Sequence, residues 1–256
     1  MLFPALCKST SQNQYPGVFK FDLTDSLDNF LYKQSVLNDW EWKNSNELIY
    51  TLNSQGYRTA EFETIDWENS VLFFGCSWVY GLGVDDSDTL SSKFNQQTNI
   101  NTVNLGMPSV SNWYTVKNCE ILNNNNINPK AVVNCMTYPT RFTLFHDDDT
   151  QTHIGKWSNE DNKVMFDKLS TDHNTSNYYT KWQKQLIDSY FDCPVLHYSV
   201  DKLIAKHLNI PFLIDIVGEE YFWDIKNRAR DRHHQGPGCN DKIIKYIVND
   251  FNSRIQ

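Results

Sequence analysis

Short apolar runs alternate with amphipathic stretches along most of the chain. The apolar runs are 71–75 (VLFFG), 101–106 (NTVNLG), 130–136 (KAVVNCM) and 211–217 (PFLIDIV). Stretches with helical spacing lie between them, at 89–97, 111–123, 176–191 and 195–208. Short apolar runs separated by helices are typical of parallel strands joined by crossover helices. The pattern therefore predicts a three-layer α/β/α sandwich with a mostly parallel, flavodoxin-like central sheet.

The remaining segments depart from this alternation. They are 25–36 (helical), 50–62 (two short strands about an Asn-Ser-Gln-Gly turn), 142–175 (polar, without a clear period) and 240–253 (a helical apolar stripe). These changes predict the domain organisation. We expect an N-terminal extension over 1–65, packed on a core α/β domain over 66–256. An insertion in that domain is expected at about 142–208.

Composition narrows the class of protein. The 256 residues are 40% hydrophobic and 14% aromatic, which suffices for a sizeable core and excludes disordered and collagen-like chains. The net charge of −8 disfavours broad nucleic-acid binding, because neutralising phosphates needs a basic face. No apolar run approaches a membrane span, and the first residues lack the features of a signal peptide. We therefore expect a cytoplasmic protein with reduced thiols and no membrane partner.

Glycine is scarce, and half of the glycines lie in two places. Three of the ten fall within 75–83 and two at 236–238, and such clusters indicate backbone requirements. The first cluster, GCSWVYGLG, contains Ser77 directly after an apolar run. A serine at a strand-to-helix turn can present its hydroxyl at the sheet edge, where its N–H can stabilise an oxyanion. A glycine-rich turn with an incidental serine is the alternative interpretation.

The second cluster follows a possible Asp-His pair. Asp231 and His234 are three residues apart in DRHHQGPG, a spacing that lets a carboxylate orient an imidazole. The adjacent His233 leaves two alternatives open, a metal site or a plain surface loop. A third feature is Gly106, which ends the second apolar run and can bring its N–H close to an oxyanion. A structural turn explains that glycine equally well.

Taken in order, these features resemble the SGNH (GDSL-like) hydrolase superfamily. FFGCSWVYGLGVDDSDTLSSKF resembles the family's first block in its Gly-Cys-Ser form, VNLGMPSVSN its second block, and ARDRHHQGPG its last. The blocks cover 71–112 and 211–250, and YTLNSQGYR resembles an N-terminal extension of some members. The resemblance implies the SGNH hydrolase fold for the core domain.

The resemblance also implies roles for individual residues. Ser77 is the expected nucleophile, His234 rather than His233 the general base and then acid, and Asp231 the residue that orients it. The expected reaction is acyl transfer through an acyl-enzyme, with no cofactor and no metal. Ser77 and Gly106 are expected to supply N–H groups to the oxyanion hole.

The third block of the family is absent here. Where the family has Gly-x-Asn-Asp, the chain has NCMTYPTR, with Pro139 about where an oxyanion asparagine is expected. Asn134, Thr137 or Arg141 are the candidates to replace it. Loss of one such donor costs about 3–4 kcal/mol of transition-state stabilisation.

Two function hypotheses follow. The first is a serine esterase that removes acetyl or other short acyl groups from a carbohydrate, with a small-molecule or glycan ester as its partner. The second is a catalytically weakened module of the same fold that binds a glycan or serves in an assembly. Two weaker candidate sites are a cation-binding loop, HDDD at 146–149, and an aromatic platform for a sugar formed by Trp157, Tyr178, Tyr179 and Trp182.

Overall fold

The computed structural model describes residues 6–7, 16–37, 40–44, 48–147, 150–158, 160–171 and 173–255. The strands, in chain order, are β1 (Gly17–Phe19), β2 (Tyr50–Leu52), β3 (Ser70–Gly75), β4 (Asn101–Asn104), β5 (Ala131–Met136), β6 (Phe142–Phe145), β7 (Gln151–Ile154) and β8 (Val195–Ser199). The helices are α1 (Leu27–Val36), α2 (Ser77–Tyr80), α3 (Leu90–Thr98), α4 (Asn112–Asn124), α5 (Glu160–Thr171), α6 (His173–Ser189), α7 (Lys202–Leu208), α8 (Leu213–Val217), α9 (Glu219–Trp223) and α10 (Pro237–Ile255).

A four-stranded parallel sheet forms the centre of the molecule. Its strand order is β4-β3-β5-β8, and the registers pair Gly75 with Cys135 and Met136 with Ser199. All four strands therefore end at one edge, where functional groups gather in open parallel sheets. The predicted α/β class with a parallel, flavodoxin-like sheet is confirmed.

Helices cover both faces of this sheet. Val71 and Phe73 of β3 face a cluster that includes residues of α3 and α10, while Leu72 and Phe74 face a cluster that includes residues of α4 and α6. Every residue of β3 and β5 is buried, because both faces of these strands are covered. This explains why the two strands have continuous apolar runs instead of an alternating pattern.

Two predictions in the C-terminal half are wrong. Residues 195–208 form β8 followed by α7 instead of one helix. Residues 211–217 contain α8 instead of a strand. Phe212 makes a single parallel bridge to Ser199 before the chain turns into α8. Leu213 and Val217 lie one helical turn apart and both are buried. A short apolar run does not by itself distinguish a buried strand from a buried helical turn.

The predicted hairpin over 50–62 is also wrong. β2 pairs antiparallel with β1, and no second strand follows the turn. The turn itself forms, since the N–H of Gly56 donates to the carbonyl of Asn53 at 2.9 Å. Asn53 and Tyr57 close the turn, since the N–H of Asn53 donates to the Tyr57 carbonyl and the N–H of Tyr57 donates to Asn53 Oδ1, each at 2.9 Å.

The polar stretch over 142–175 has regular structure in spite of its lack of period. It holds the antiparallel hairpin of β6 and β7, followed by α5 and the start of α6. The division into an extension over 1–65 and a core domain over 66–256 stays a prediction. Within the described ranges, we find no helix with the length and apolar character needed to cross a bilayer.

Candidate active site

Ser77 lies where the central strand of the first block turns into a helix. β3 ends at Gly75, Cys76 precedes the helix in an extended conformation, and Ser77 is the first residue of α2. The N–H of a first helical residue has no acceptor inside its own helix. The Ser77 side chain is buried apart from a few per cent of its surface. Its hydroxyl and N–H are therefore both held at the carboxyl edge of the sheet.

A continuous hydrogen-bonded chain joins Ser77 to the last block. His234 Nε2 lies 2.7 Å from Ser77 Oγ, and His234 Nδ1 lies 2.6 Å from Asp231 Oδ2. Asp231 and His234 belong to the loop that precedes α10, and Asp231 is fully buried. The arrangement allows the imidazole to accept the serine proton on one side while the carboxylate fixes its tautomer on the other.

The surroundings of Asp231 keep its carboxyl group ionised. Burial raises the pKa of Asp231, but the charge of His234 and its hydrogen bond act in the opposite direction. The N–H groups of His233 and His234 also donate to Asp231 Oδ1, at 3.0 and 3.1 Å. Together these interactions outweigh burial and hold the pKa of Asp231 well below its ordinary value. Among the described residues, His234 forms a hydrogen bond with Ser77 and the side chain of His233 does not.

The N-terminal part of the chain contributes to the same carboxylate. Thr24 Oγ1 donates to Asp231 Oδ2 at 2.9 Å, and Lys33 Nζ donates to the Asp231 carbonyl at 2.6 Å. Thr24 thus contacts the oxygen that also binds His234, which makes it a positioning residue. The sequence contains no signal for this contact, because the two partners are 207 residues apart.

We expect Thr24→Val to lower kcat/KM about tenfold, since a hydrogen bond to a charged group is lost. The carboxylate then orients the imidazole less firmly, and Thr24→Ser, which keeps the hydroxyl, should restore most of the rate. Steady-state hydrolysis of a small acyl ester measures both variants. An equal loss in Thr24→Ser would indicate that the hydroxyl is not what positions Asp231.

Gly83 brings the glycine loop against Asp231. Its φ is +81°, and a Cβ added there would lie 3.1 Å from both the N atom and Oδ1 of Asp231. The N–H of Gly83 also donates to the Tyr50 hydroxyl at 2.8 Å. Part of the glycine cluster is therefore required by a left-handed backbone and by close approach to the loop of Ala229 and Asp231.

Gly83→Ala is expected to lower the free energy of unfolding by about 3 kcal/mol through backbone strain and contact with Asp231. Gly218→Ala is a matched control, because Gly218 has a φ of +92° and nothing lies within 4 Å of an added Cβ. That control should cost only about 1 kcal/mol. Urea unfolding measures both, and equal losses would mean that contact with Asp231 contributes nothing.

Arg58 supports the same loop from the stretch YTLNSQGYR. Its guanidinium donates to the carbonyls of Gly81 at 2.5 Å and Val84 at 2.8 Å, and to that of Ile49 at 2.7 Å. Resemblance to an extension of some family members pointed to this stretch but gave no role to Arg58. In the structure, Arg58 holds the turn that follows Ser77 by its hydrogen bonds to Gly81 and Val84.

The groups expected to donate hydrogen bonds to an oxyanion differ in whether they already have an acceptor. The N–H of Gly106 donates to Asn104 Oδ1 at 3.1 Å. The amide of Asn134 lies 3.1 Å from His197 Nδ1, and it shares the sheet face of Phe74, on the side of α4 and α6. The Thr137 hydroxyl is buried without a hydrogen-bond partner among the described residues. Of the three side chains named as candidates, Thr137 and Arg141 each have an uncommitted donor, because Arg141 Nη1 is also buried without a partner among the described residues.

The cation-binding loop at 146–149 and the aromatic platform were the two weaker candidate sites. Asp148 and Asp149 lie outside the described residues, while His146 Nε2 lies 2.9 Å from Thr152 Oγ1. No cluster that could hold a metal ion occurs in the ranges that the structure describes. Tyr179 and Trp182 both pack against Trp113, whereas Trp157 contacts Arg141. The four aromatic residues therefore do not form one cluster through the ring contacts found.

Comparisons with known proteins give matches among solved structures. No known family model and no curated protein matches the chain. The chain is similar to an acetyl xylan esterase from the rumen bacterium Butyrivibrio proteoclasticus, with 9% identity and a TM-score of 0.45 over 73% of this chain and 64% of that one. It is also similar to a protein described as a GDSL-like lipase from Bacteroides ovatus, with 11% identity and a TM-score of 0.39 over 73% and 54%.

A third similar structure is a carbohydrate esterase whose active site is described as having divergent catalytic and non-catalytic binding functions. It shares 11% identity and a TM-score of 0.42, over 75% of this chain and 70% of that one. The chain spans less than two thirds of the first two structures.

Proposed function

We propose that the protein is a serine ester hydrolase that acts through an acyl-enzyme. One observation carries this proposal. Ser77 Oγ, His234 and Asp231 form an unbroken chain with separations of 2.7 and 2.6 Å. A serine hydroxyl is a weak nucleophile unless an adjacent base removes its proton, and this chain provides such a base together with a group that orients it.

The geometry supports a two-step reaction. Ser77 Oγ attacks the ester carbonyl while His234 Nε2 takes the hydroxyl proton, and the N–H of Ser77 faces the developing oxyanion. The imidazolium then returns that proton to the leaving alcohol as the carbon–oxygen ester bond breaks. In the second step His234 takes a proton from water, which attacks the acyl carbonyl. The imidazolium then returns that proton to Ser77 Oγ as the bond between Ser77 and the acyl group breaks and the acid is released. Asp231 stabilises the imidazolium in both steps and stays ionised.

The proposed substrates are acetyl or other short acyl esters of a carbohydrate. The family resemblance supports this class, and so do partly exposed aromatic rings near the sheet edge. Tyr138 follows β5 and is partly exposed. Trp223, also exposed, packs edge-to-face against Phe222. The Phe222 ring in turn lies 5.3 Å from the ring of Trp78, the residue after Ser77. Aromatic rings of this kind offer an apolar face to a sugar and a polar edge to water.

A second candidate function is a glycan-binding module with weakened catalysis. It is favoured by the missing third block and by the commitment of two expected donors to other partners. Gly106 donates to Asn104 and Asn134 is bound to His197, which leaves fewer groups to stabilise an oxyanion. Such a protein would retain the chain of Ser77, His234 and Asp231 without rapid turnover.

Labelling with a fluorophosphonate probe distinguishes the two functions. The probe reacts with a serine whose proton a neighbouring base removes and whose attack an oxyanion hole stabilises. An esterase should therefore be labelled at Ser77, whereas the binding module, with fewer oxyanion donors, and the Ser77→Ala variant should not be. Peptide mass spectrometry locates the adduct. An unlabelled Ser77 in folded protein would reject the esterase and favour the binding module.

A further inference from the structure

Arg141, which is half-buried, differs in its partners from the buried residues Arg58, Arg228 and Arg230. Arg58, Arg228 and Arg230 each donate several hydrogen bonds to carbonyls or carboxylates. Arg141 forms no ion pair within the described ranges, and its Nη1 is buried without an acceptor there. Its guanidinium instead lies between two rings, 5.1 Å from the centre of Tyr138 and 5.0 Å from that of Trp157. A desolvated donor with no acceptor is unusual in a folded protein.

This guanidinium lies at the carboxyl edge of the sheet. Tyr138 and Arg141 close a turn directly after β5, with the N–H of Arg141 donating to the Tyr138 carbonyl at 3.2 Å. Burial raises the pKa of Tyr138, the nearby thiol of Cys76 raises it further, and the positive charge of Arg141 lowers it. Because Cys135 of β5 pairs with Gly75 of β3, the turn that holds Tyr138 and Arg141 follows the same edge of the sheet as Ser77.

The second ring is also held in place. A Cβ added to Gly155 would lie 2.4 Å from the Trp157 ring, so the ring packs directly on the backbone of that glycine. Trp157 nevertheless leaves 48% of its surface exposed, and Tyr138 leaves 39%. Between these rings the guanidinium is oriented in advance and partly removed from water, which strengthens its interaction with an anion.

We propose that Arg141, Tyr138 and Trp157 form a binding site for a carboxylate of the ester substrate. The inference rests on the proposed esterase function and narrows its substrate class to acyl esters of acidic sugars. The planar guanidinium matches a carboxylate, and the two rings provide apolar surface for the sugar ring that carries it. A neutral ester makes only the second of these interactions.

A pair of substrates that differ in one group tests the site. Release of acetate is measured from O-acetylated methyl glucuronide and from O-acetylated methyl glucoside, which has a hydroxymethyl group in place of the carboxylate. We expect kcat/KM to favour the glucuronide by about tenfold or more, the effect of one hydrogen bond to a charged group. Arg141→Gln should reduce this ratio to about one, and Arg141→Lys should leave an intermediate ratio, because the charge is kept without the planar fork.

Arg254→Gln is the matched control, because Arg254 pairs with Asp250 near the C-terminus. It should leave the substrate ratio unchanged. A parent ratio near one, or an Arg141→Gln ratio equal to that of the parent, would overturn the site while leaving the esterase intact.

Binding measured without turnover separates the two proposals. In the Ser77→Ala background, methyl glucuronide should bind more tightly than methyl glucoside by calorimetry, and adding Arg141→Gln should remove the difference. This result would support the carboxylate site even if no ester were hydrolysed. Equal binding of the two sugars would overturn it, and the Arg141→Lys variant provides the same comparison if Arg141→Gln fails to fold.

Discussion

Ser77→Ala is expected to lower kcat for hydrolysis of an acetyl ester by about 10⁴-fold or more, which is the scale of losing a catalytic nucleophile. In the part of the chain that the structure describes, His234 is bonded to no other hydroxyl, so Asp231 then orients an imidazole with no proton to accept. The measurement is release of acetate or 4-nitrophenol at neutral pH. Any residual rate reflects binding and the remaining N–H donors.

Ser189→Ala is the control for this variant. Ser189 is the last residue of α6, and its hydroxyl donates to the Leu186 carbonyl at the surface. It should have the parent rate and nearly the parent stability. If Ser77→Ala kept more than a tenth of the parent rate, the nucleophile would have to be another group.

Asp231→Asn is expected to lower kcat by about 10⁴-fold with little change in backbone structure. The amide of asparagine can donate to His234 Nδ1, which places the imidazole proton on Nε2, where it cannot accept the proton of Ser77. The variant also removes the charge that stabilises the imidazolium. Steady-state kinetics and the near-ultraviolet circular dichroism spectrum, taken together, separate loss of catalysis from loss of folding.

Asp250→Asn is the matched carboxylate control. Asp250 accepts a hydrogen bond from the Tyr198 hydroxyl at 2.7 Å, in a part of the fold without Ser77. Its replacement should reduce stability slightly and leave kcat unaltered. A parent-like kcat in Asp231→Asn would show that the carboxylate does not set the tautomer of His234.

Local sequence was sufficient to predict structure where the interacting residues are close together in the chain. Asp231 and His234 lie three residues apart, so their pairing needs only a loop, and Ser77 needs only a strand followed by a glycine turn. The same applies to β3 and β5, whose apolar runs end where the strands end. Prediction failed at β8 and α8, because both are short apolar segments buried on the same core.

The choice of sheet face also lay beyond the sequence. Asn134 was expected to be a possible oxyanion donor, since it lies near the end of the strand. Strand phase instead puts it on the face of Phe74, where the buried His197 and then the exposed Asp188 continue a hydrogen-bonded chain. Burial lowers the pKa of His197. Side chains alternate between the two faces of the sheet, so a shift of one residue along β5 decides which face Asn134 occupies.

The sequence by itself determined the class of fold and the order of the blocks, because the period of apolar residues and the place of glycine fix local conformation. The resemblance of those blocks to the SGNH superfamily pointed to Ser77, His234 and Asp231. Only the tertiary structure decided which distant groups meet that chain. Thr24 and Lys33 contact Asp231 across 207 and 198 residues, and Trp157 meets Arg141 through the packing of a hairpin. Such contacts depend on how the elements pack together, and no local pattern records them.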